Sequence, residues 1–120
     1  MDQQIPKQVH DKLTQFQGLQ NQLQLISMQK QQLVLQSADM ENALTALKDM
    51  GDERVYRISG PLLIESNKEA SEERLRGDKE VAESRVKMLE TQEKRLSDKL
   101  EELRIELQGM LKPPGGAGAG

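Results

Sequence analysis

The sequence contains no cysteine and no tryptophan, and Phe16 and Tyr56 are its only aromatic residues. The lack of cysteine excludes a disulfide framework and thiol chemistry. Aromatic side chains supply much of the bulk of ordinary cores, so an aromatic content of 2% argues against one compact globular core. The single histidine, His10, excludes a two-histidine metal site within one chain, and we interpret it as a solvated residue. No catalytic constellation or phosphate-binding loop is present, so we expect neither an enzyme nor a bound metal or cofactor.

Long hydrophobic runs and an excess of one charge are also missing. No stretch of 18 apolar residues exists that could cross a membrane. The first residues, Met1 to Pro6, lack the basic and apolar regions of a signal peptide. The net charge is −3, and the acidic and basic residues are interspersed, so no basic stripe is available for nucleic acid or anionic lipid. We therefore expect a cytoplasmic protein that binds neither nucleic acid nor membranes.

Leucine, methionine, glutamine, glutamate and lysine dominate instead, in two long segments with a heptad pattern. The first runs from about Pro6 to Met50, and the second follows Ser66 and continues to about Leu111. A spacing of 3.5 residues sustained over this length predicts coiled-coil helices. The predicted seam positions are Val9, Phe16, Leu19, Leu23, Ile26, Lys30, Leu33, Ser37, Met40, Leu44 and Leu47, then Glu72, Leu75, Lys79, Ala82, Val86, Leu89, Glu93, Leu96, Leu100, Leu103, Leu107 and Met110.

The ends of both helices carry stop and start signals. Gly51 predicts a C-terminal stop for the first helix, and Ser66 with Glu69 fits a capping box for the second. Pro113-Pro114 should end the second helix. The predicted segments are residues 1–51 (first helix), 52–66 (hairpin), 67–112 (second helix) and 113–120 (flexible tail).

Between the helices, two short aliphatic runs are broken at Gly60-Pro61, which predicts a β-hairpin. Two strands alone are only marginally stable in water, and their outer edges remain free to pair with another chain. A strand that is apolar on both faces should also be covered on both. We therefore expect this segment to mediate oligomerisation through Val55, Tyr56, Ile58, Leu62, Leu63 and Ile64.

Two heptad helices joined by a short reversal should pack as an antiparallel pair, with the numbers of facing residues adding up to about 119. Lys30 and Glu93 interrupt the seam, where they either set the register or extend their charges to solvent. Both chain ends would then form an apolar tip, which is either a client-binding surface or simply the frayed end of the seam. The tip residues are Ile5, Val9, Leu13, Phe16, Leu107, Met110 and Leu111.

The hairpin from Val55 to Ile64, placed midway between two such helices, resembles the archaeal β-type subunits of the prefoldin family. Further similarity lies in Asn67-Lys68-Glu69-Ala70, in the run from Leu89 to Leu96, and around Phe16. The resemblance implies a mainly α fold: an antiparallel two-helix coiled coil whose central β-hairpin joins an inter-subunit β-barrel. Pro61, which has no amide donor, would restrict the barrel edge that this hairpin can occupy.

The resemblance also implies a function. It predicts a molecular chaperone subunit, an ATP-independent holdase within an α2β4 hetero-hexamer with the prefoldin α subunit. Unfolded client proteins would bind at the coiled-coil tips and pass to a group II chaperonin. The alternative is a coiled-coil scaffold or adaptor protein without chaperone activity, but a scaffold has little need for a hairpin that is apolar on both faces.

Overall fold

The computed structural model describes residues 6–51 and 53–111. Helix α1 spans Lys7–Lys48, strands β1 and β2 span Val55–Ser59 and Leu62–Ser66, and helix α2 spans Lys68–Leu111. The fold is therefore mainly helical, with two long helices and one two-stranded antiparallel hairpin, as predicted. Ile5, the Pro113-Pro114 stop and the predicted tail lie outside the described residues.

The described residues fall into two compact units. The terminal unit contains residues 6–28 and 90–111, and the hairpin unit contains residues 29–51 and 53–89. Within the terminal unit, Ser27 donates a 2.6 Å hydrogen bond to Glu93, and Lys12 forms a 2.6 Å ion pair with Glu106. The earlier residue of α1 pairs with the later residue of α2, so the helices of this unit are antiparallel.

The hairpin unit shows the same antiparallel pairing. Lys79 Nζ lies 2.6 Å from Glu41 Oε2, and Lys68 Nζ donates to the carbonyl of Met50 at 2.8 Å. Across both units the numbers of paired residues add up to 118 or 120, in agreement with the predicted sum of about 119.

The buried apolar side chains follow the heptad pattern. In the terminal unit they are Val9, Leu96, Leu103 and Leu107, and in the hairpin unit they are Leu44, Leu47 and Ala82. Every one of these residues occupies a predicted seam position. Apolar residues outside the seams, such as Leu35 and Met88, remain exposed. The 3.5-residue spacing therefore identified the core of each unit correctly.

Helix α1 ends differently from the prediction. It stops at Lys48, but Gly51 does not take the left-handed conformation of a C-terminal glycine, since Gly60 alone among residues 6–51 and 53–111 has a positive φ. The Lys68 ammonium group instead donates to the carbonyls of Lys48 and Met50, at 3.5 and 2.8 Å. A cation from α2 thus satisfies carbonyls that the helix end leaves without partners.

The start of α2 also corrects the predicted capping box. Asn67 is the N-cap residue, because its side-chain oxygen accepts a 2.8 Å hydrogen bond from the amide of Ala70. Ser66 belongs to strand β2, and its hydroxyl accepts a 3.2 Å hydrogen bond from the Ser71 hydroxyl. Asparagine caps a helix as well as serine does, and it stands one residue closer to the helix.

Replacing Asn67 with alanine should lower the free energy of unfolding by about 1 kcal/mol, because an amide of the first turn loses its acceptor. Urea denaturation followed by circular dichroism would measure the change. Ser66→Ala serves as the control and should cost less, since Ser66 does not cap the helix. An equal or larger loss of stability for Ser66→Ala would show that Ser66 caps the helix, as the sequence predicted.

The pair formed by Glu41 and Lys79 makes stability depend on pH. The hydrogen bond from Lys79 lowers the pKa of the Glu41 carboxyl, and the same bond raises the pKa of Lys79. The contribution of Glu41 is therefore present at neutral pH and is lost as the pH falls through its lowered pKa. The contribution of Lys79 is lost only as the pH rises through its raised pKa.

Glu41→Gln should accordingly lower the melting temperature at neutral pH and lose this effect only in acid well below the ordinary glutamate pKa of about 4.3, where the Glu41 carboxyl is protonated. The effect should be small, since the pair is exposed to solvent. Thermal unfolding at both pH values would test it, with Glu90→Gln as the control at another exposed helix position. A difference that persists in acid would show that the carboxylate charge is not its cause.

The hairpin turns at Gly60-Pro61. Gly60 has a φ of 57°, a conformation that glycine adopts without strain. Proline fixes its φ near −65°, so this pair fits a type II′ turn, one of the two-residue turns that match the twist of a hairpin. Pro61 therefore lies in the turn, before β2 begins at Leu62. The turn needs no amide donor from Pro61, and its effect on the barrel edge stays a prediction.

Candidate interaction surfaces

Strand β1 presents an exposed apolar face. Val55 and Arg57 are half-buried, whereas Tyr56 and Ile58, which alternate with them, are exposed. In the pairing register, Ile58 faces Leu63 and Tyr56 faces Glu65. Ile58 and Leu63 are the most exposed apolar residues of the hairpin, at 77% and 70%. Two large aliphatic side chains thus lie side by side in solvent.

Strand β2 carries apolar side chains on both faces, and both faces are exposed in the single chain. Leu62 and Ile64 lie on one face and Leu63 on the other, and all three are exposed. Within the described part of the chain, each strand pairs only with the other, so each keeps one edge without a strand partner. The hairpin therefore offers both the apolar side chains and the backbone groups that another chain needs for strand pairing.

The predicted tip residues are only partly accessible. Val9 and Leu107 are 3% and 7% exposed, because they close the seam of the terminal unit. Leu13 and Phe16 are half-buried, whereas Met110 and Leu111 are exposed. The accessible apolar surface at the end of α2 therefore consists of Met110 and Leu111.

Ile105 is a further exposed apolar residue near the end of α2, and the sequence prediction of the tip did not include it. It is 57% exposed and lies six residues before Leu111 on α2. In the sequence, Ile105 is recognisable as an apolar residue that lies between Arg104 and Glu106 and outside the heptad seam. The tip prediction missed it because that prediction considered mainly residues in or beside the seam.

Charged groups border Ile105. Arg104 Nε donates a 2.9 Å hydrogen bond to Glu101, which lowers the pKa of the Glu101 carboxyl and raises the pKa of Arg104. Both groups are therefore charged at neutral pH. On the neighbouring turn Glu106 pairs with Lys12 of α1. The apolar residues at the end of α2 thus have a charged border whose groups are already paired.

Two kinds of site are absent from the part of the chain that the structure describes. In residues 6–51 and 53–111, no three histidine, aspartate or glutamate side chains come together in a way that could hold a metal ion. Neither helix has a stretch long and apolar enough to cross a membrane.

Comparison with known proteins assigns the chain to a family. A model of prefoldin subunits matches residues 10–113, which is most of the chain. The chain belongs to the prefoldin family. The matched range contains the hairpin, all of α2 and α1 from His10 onward.

Several relatives are prefoldin β subunits of archaea. The β subunit of Thermococcus kodakarensis is 37% identical over 113 residues, covering 93% of this chain and 97% of the relative. That of Thermococcus gammatolerans is 39% identical with the same coverage. The crystal structure of the prefoldin beta subunit from Thermococcus strain KS-1 superposes with a TM-score of 0.83 at 37% identity, covering 94% of this chain and all of that one.

These similarities confirm the resemblance to archaeal β-type prefoldin and show a prefoldin chaperone subunit. The scaffold alternative is not favoured. Membership also implies assembly with other prefoldin subunits, and a chaperone rather than an enzyme. Residues 6–51 and 53–111 contribute two strands, so a β-barrel forms between subunits.

Proposed function

We propose that this chain acts as an ATP-independent holdase that captures unfolded proteins at the ends of its helices. The observation that carries the proposal is the exposure of Ile105, Met110 and Leu111 beside a closed seam. Exposed apolar clusters of this kind mark interaction sites. Leu13 and Phe16, which are half-buried on α1, would extend the surface when a client packs against them. Ile5, Val9 and Leu107 remain in the proposed tip, the last two as its buried base.

Capture by this surface is weak and unselective, which suits a holdase. A few apolar side chains bury little area, so a single contact releases its client readily. Methionine adapts to clients of different shape because its side chain is unbranched and polarisable. Several such surfaces held on one assembly would bind a long unfolded chain together, and linked contacts raise the overall affinity without new chemistry.

The hairpin supplies the assembly in this proposal. Val55, Tyr56, Ile58, Leu62, Leu63 and Ile64 would be covered when hairpins of several subunits pair edge to edge and close a barrel. The exposure of Ile58 and Leu63 supports this role, because an isolated hairpin would gain nothing from them. The barrel would hold the client-binding ends at fixed distances from one another.

The subunit composition of the assembly and the chaperonin that receives its clients are proposed from membership of the family. A single hairpin favours the β type within an α2β4 hexamer with the prefoldin α subunit. Clients would be delivered to a group II chaperonin in the cytoplasm. No step in capture or release requires a catalytic residue, a cofactor, a nucleic acid or a membrane.

Aggregation of a chemically unfolded model protein tests the proposal. The chain, co-expressed with an α-type prefoldin subunit, should assemble and suppress light scattering by diluted, guanidinium-unfolded citrate synthase without nucleotide. Folded citrate synthase, added as a control, should not bind. Unchanged aggregation in the presence of the assembled complex would refute the holdase function.

A further inference from the structure

A groove in the hairpin unit lies between the hairpin and the adjoining ends of the two helices. Its volume is about 650 Å³, which falls within the range of well-formed binding pockets. It is lined by Ala43, Ala46, Leu47 and Met50 of α1 and the residues after it, by Val55, Tyr56, Arg57, Ile58, Ile64, Glu65 and Ser66 of the hairpin, and by Ala70, Ser71, Arg74, Leu75 and Asp78 of α2.

Small side chains create this space. Ala46 and Ala70 line the groove from the two helices and are exposed, and Ala43 beside them is half-buried. A larger side chain at Ala46 or Ala70 would occupy part of the groove. The floor is apolar, since Leu47 and Leu75 belong to the seam of the hairpin unit.

The charges at the groove are balanced. Arg74 lies 3.9 Å from Asp78, and Glu65 lies 3.9 Å from Arg54. Of these residues Arg54 does not line the groove, and Arg57 does, so the lining carries two positive and two negative side chains. The groove therefore lacks a strong field of one sign, and an uncharged apolar occupant fits it better than a charged ligand.

The turn of a hairpin has the chemistry that this groove requires. Residues 59–64 carry no charge, and Leu62 and Leu63 are exposed. Neither leucine lines the groove of its own chain. Tyr56 and Ile58 line the groove and also form the exposed face of β1, so the groove is continuous with the proposed oligomerisation surface.

We infer that the groove receives Leu63 from the hairpin of a neighbouring prefoldin subunit. This inference rests on the proposed role of the hairpin in assembly and specifies where the neighbouring turn lies. Each subunit would contribute an apolar side chain to another subunit's groove, so that the hairpin and the helix ends are covered together. Filling the groove from within the chain should then block assembly and leave the subunit folded.

Ala46→Leu and Ala70→Leu test this directly in the chain co-expressed with an α-type subunit. Native mass spectrometry should show at least about tenfold less assembled complex, as expected when extra methylenes enter an occupied space. Circular dichroism should show unchanged helix content, because both positions are exposed and leucine is a good helix former. Ala38→Leu, at an exposed position of α1 that does not line the groove, is the matched control and should assemble normally.

Cysteine crosslinking provides a positive readout, since the chain contains no cysteine of its own. Chains carrying Ala46→Cys and isotope-labelled chains carrying Leu63→Cys, mixed during assembly and oxidised, should form a mixed disulfide detectable by peptide mapping. Such a bond requires Cα atoms within about 7 Å. The pair Ala38→Cys and Leu63→Cys should form no such bond.

Ile58→Glu separates this inference from the proposed function. If the groove-filling variants assemble normally while Ile58→Glu does not, the hairpin mediates assembly and the groove inference is wrong. The groove would then be left to another occupant, such as a small molecule. If Ile58→Glu also assembles normally, the proposed role of the hairpin fails as well.

Discussion

Replacing Ile105, Met110 and Leu111 together with glutamine should abolish most of the holdase activity while assembly continues. Fully burying one large aliphatic side chain contributes about 1.5–3 kcal/mol, so even partial burial of three predicts client binding weakened at least about tenfold. Glutamine is a good helix former, and all three positions are exposed, so the helix should persist. Light scattering of diluted, unfolded citrate synthase measures the activity, and native mass spectrometry measures the assembly.

The matched control carries the same change at three exposed apolar residues of the hairpin unit, Leu35, Val81 and Met88. It removes as many large apolar side chains from the surface but leaves the end of α2 intact. Full activity of the control beside loss in the test variant would locate client capture at the end of α2. Equal activity of both variants would show that clients bind elsewhere.

The heptad pattern made the helical part of this fold predictable. Seam residues recur every 3.5 positions, and burial on that seam requires only that the two helices meet. The antiparallel register followed from the position of the turn, because a short reversal near Gly60 leaves little freedom for sliding. Leu44, Leu96 and Leu103 are buried for this reason. Helix α2 ends at Leu111 as predicted, whereas the end of α1 and the cap of α2 differ from the prediction.

The ends of the helices depend on contacts that are distant in sequence. Lys68 takes the role expected of Gly51 because α2 begins beside the end of α1, which a local signal cannot reveal. Asn67 was passed over as the cap because Ser66 with Glu69 matched a stronger local pattern, yet Ser66 is held in β2. Local propensity was overridden by the geometry of the hairpin in both places.

The interaction surfaces were predictable only where they continued a pattern. The exposed leucines of β2 followed from a strand that is apolar on both faces. Ile105 lies outside the seam, so the heptad pattern does not reveal it. Val9 and Leu107 were assigned both to the seam and to the tip, and only the packing shows that they are buried in the seam. The groove beneath the hairpin depends on three alanines that have no distinctive signal in the sequence.

Ile58→Glu should prevent assembly with the other prefoldin subunits almost completely. Ile58 is the most exposed apolar residue of the hairpin, and in the proposed barrel another chain would cover it. Burying a carboxylate without a partner costs several kcal/mol, which predicts more than about a hundredfold loss of the assembled complex. In the isolated subunit the new carboxylate faces solvent, so the helix content should not change. Size-exclusion chromatography with native mass spectrometry would show free subunits.

Leu35→Glu is the control, because Leu35 is 66% exposed and lies on α1 rather than in the hairpin. It introduces the same charge at a comparably exposed aliphatic position. Normal assembly of the control beside loss for Ile58→Glu would attribute the effect to the hairpin, whereas equal loss for both would indicate general charge repulsion.

Since clients are held by several subunits at once in this proposal, Ile58→Glu should also abolish holdase activity although the end of α2 is untouched. Activity retained by the free subunit would mean that a single pair of helix ends is sufficient to hold a client.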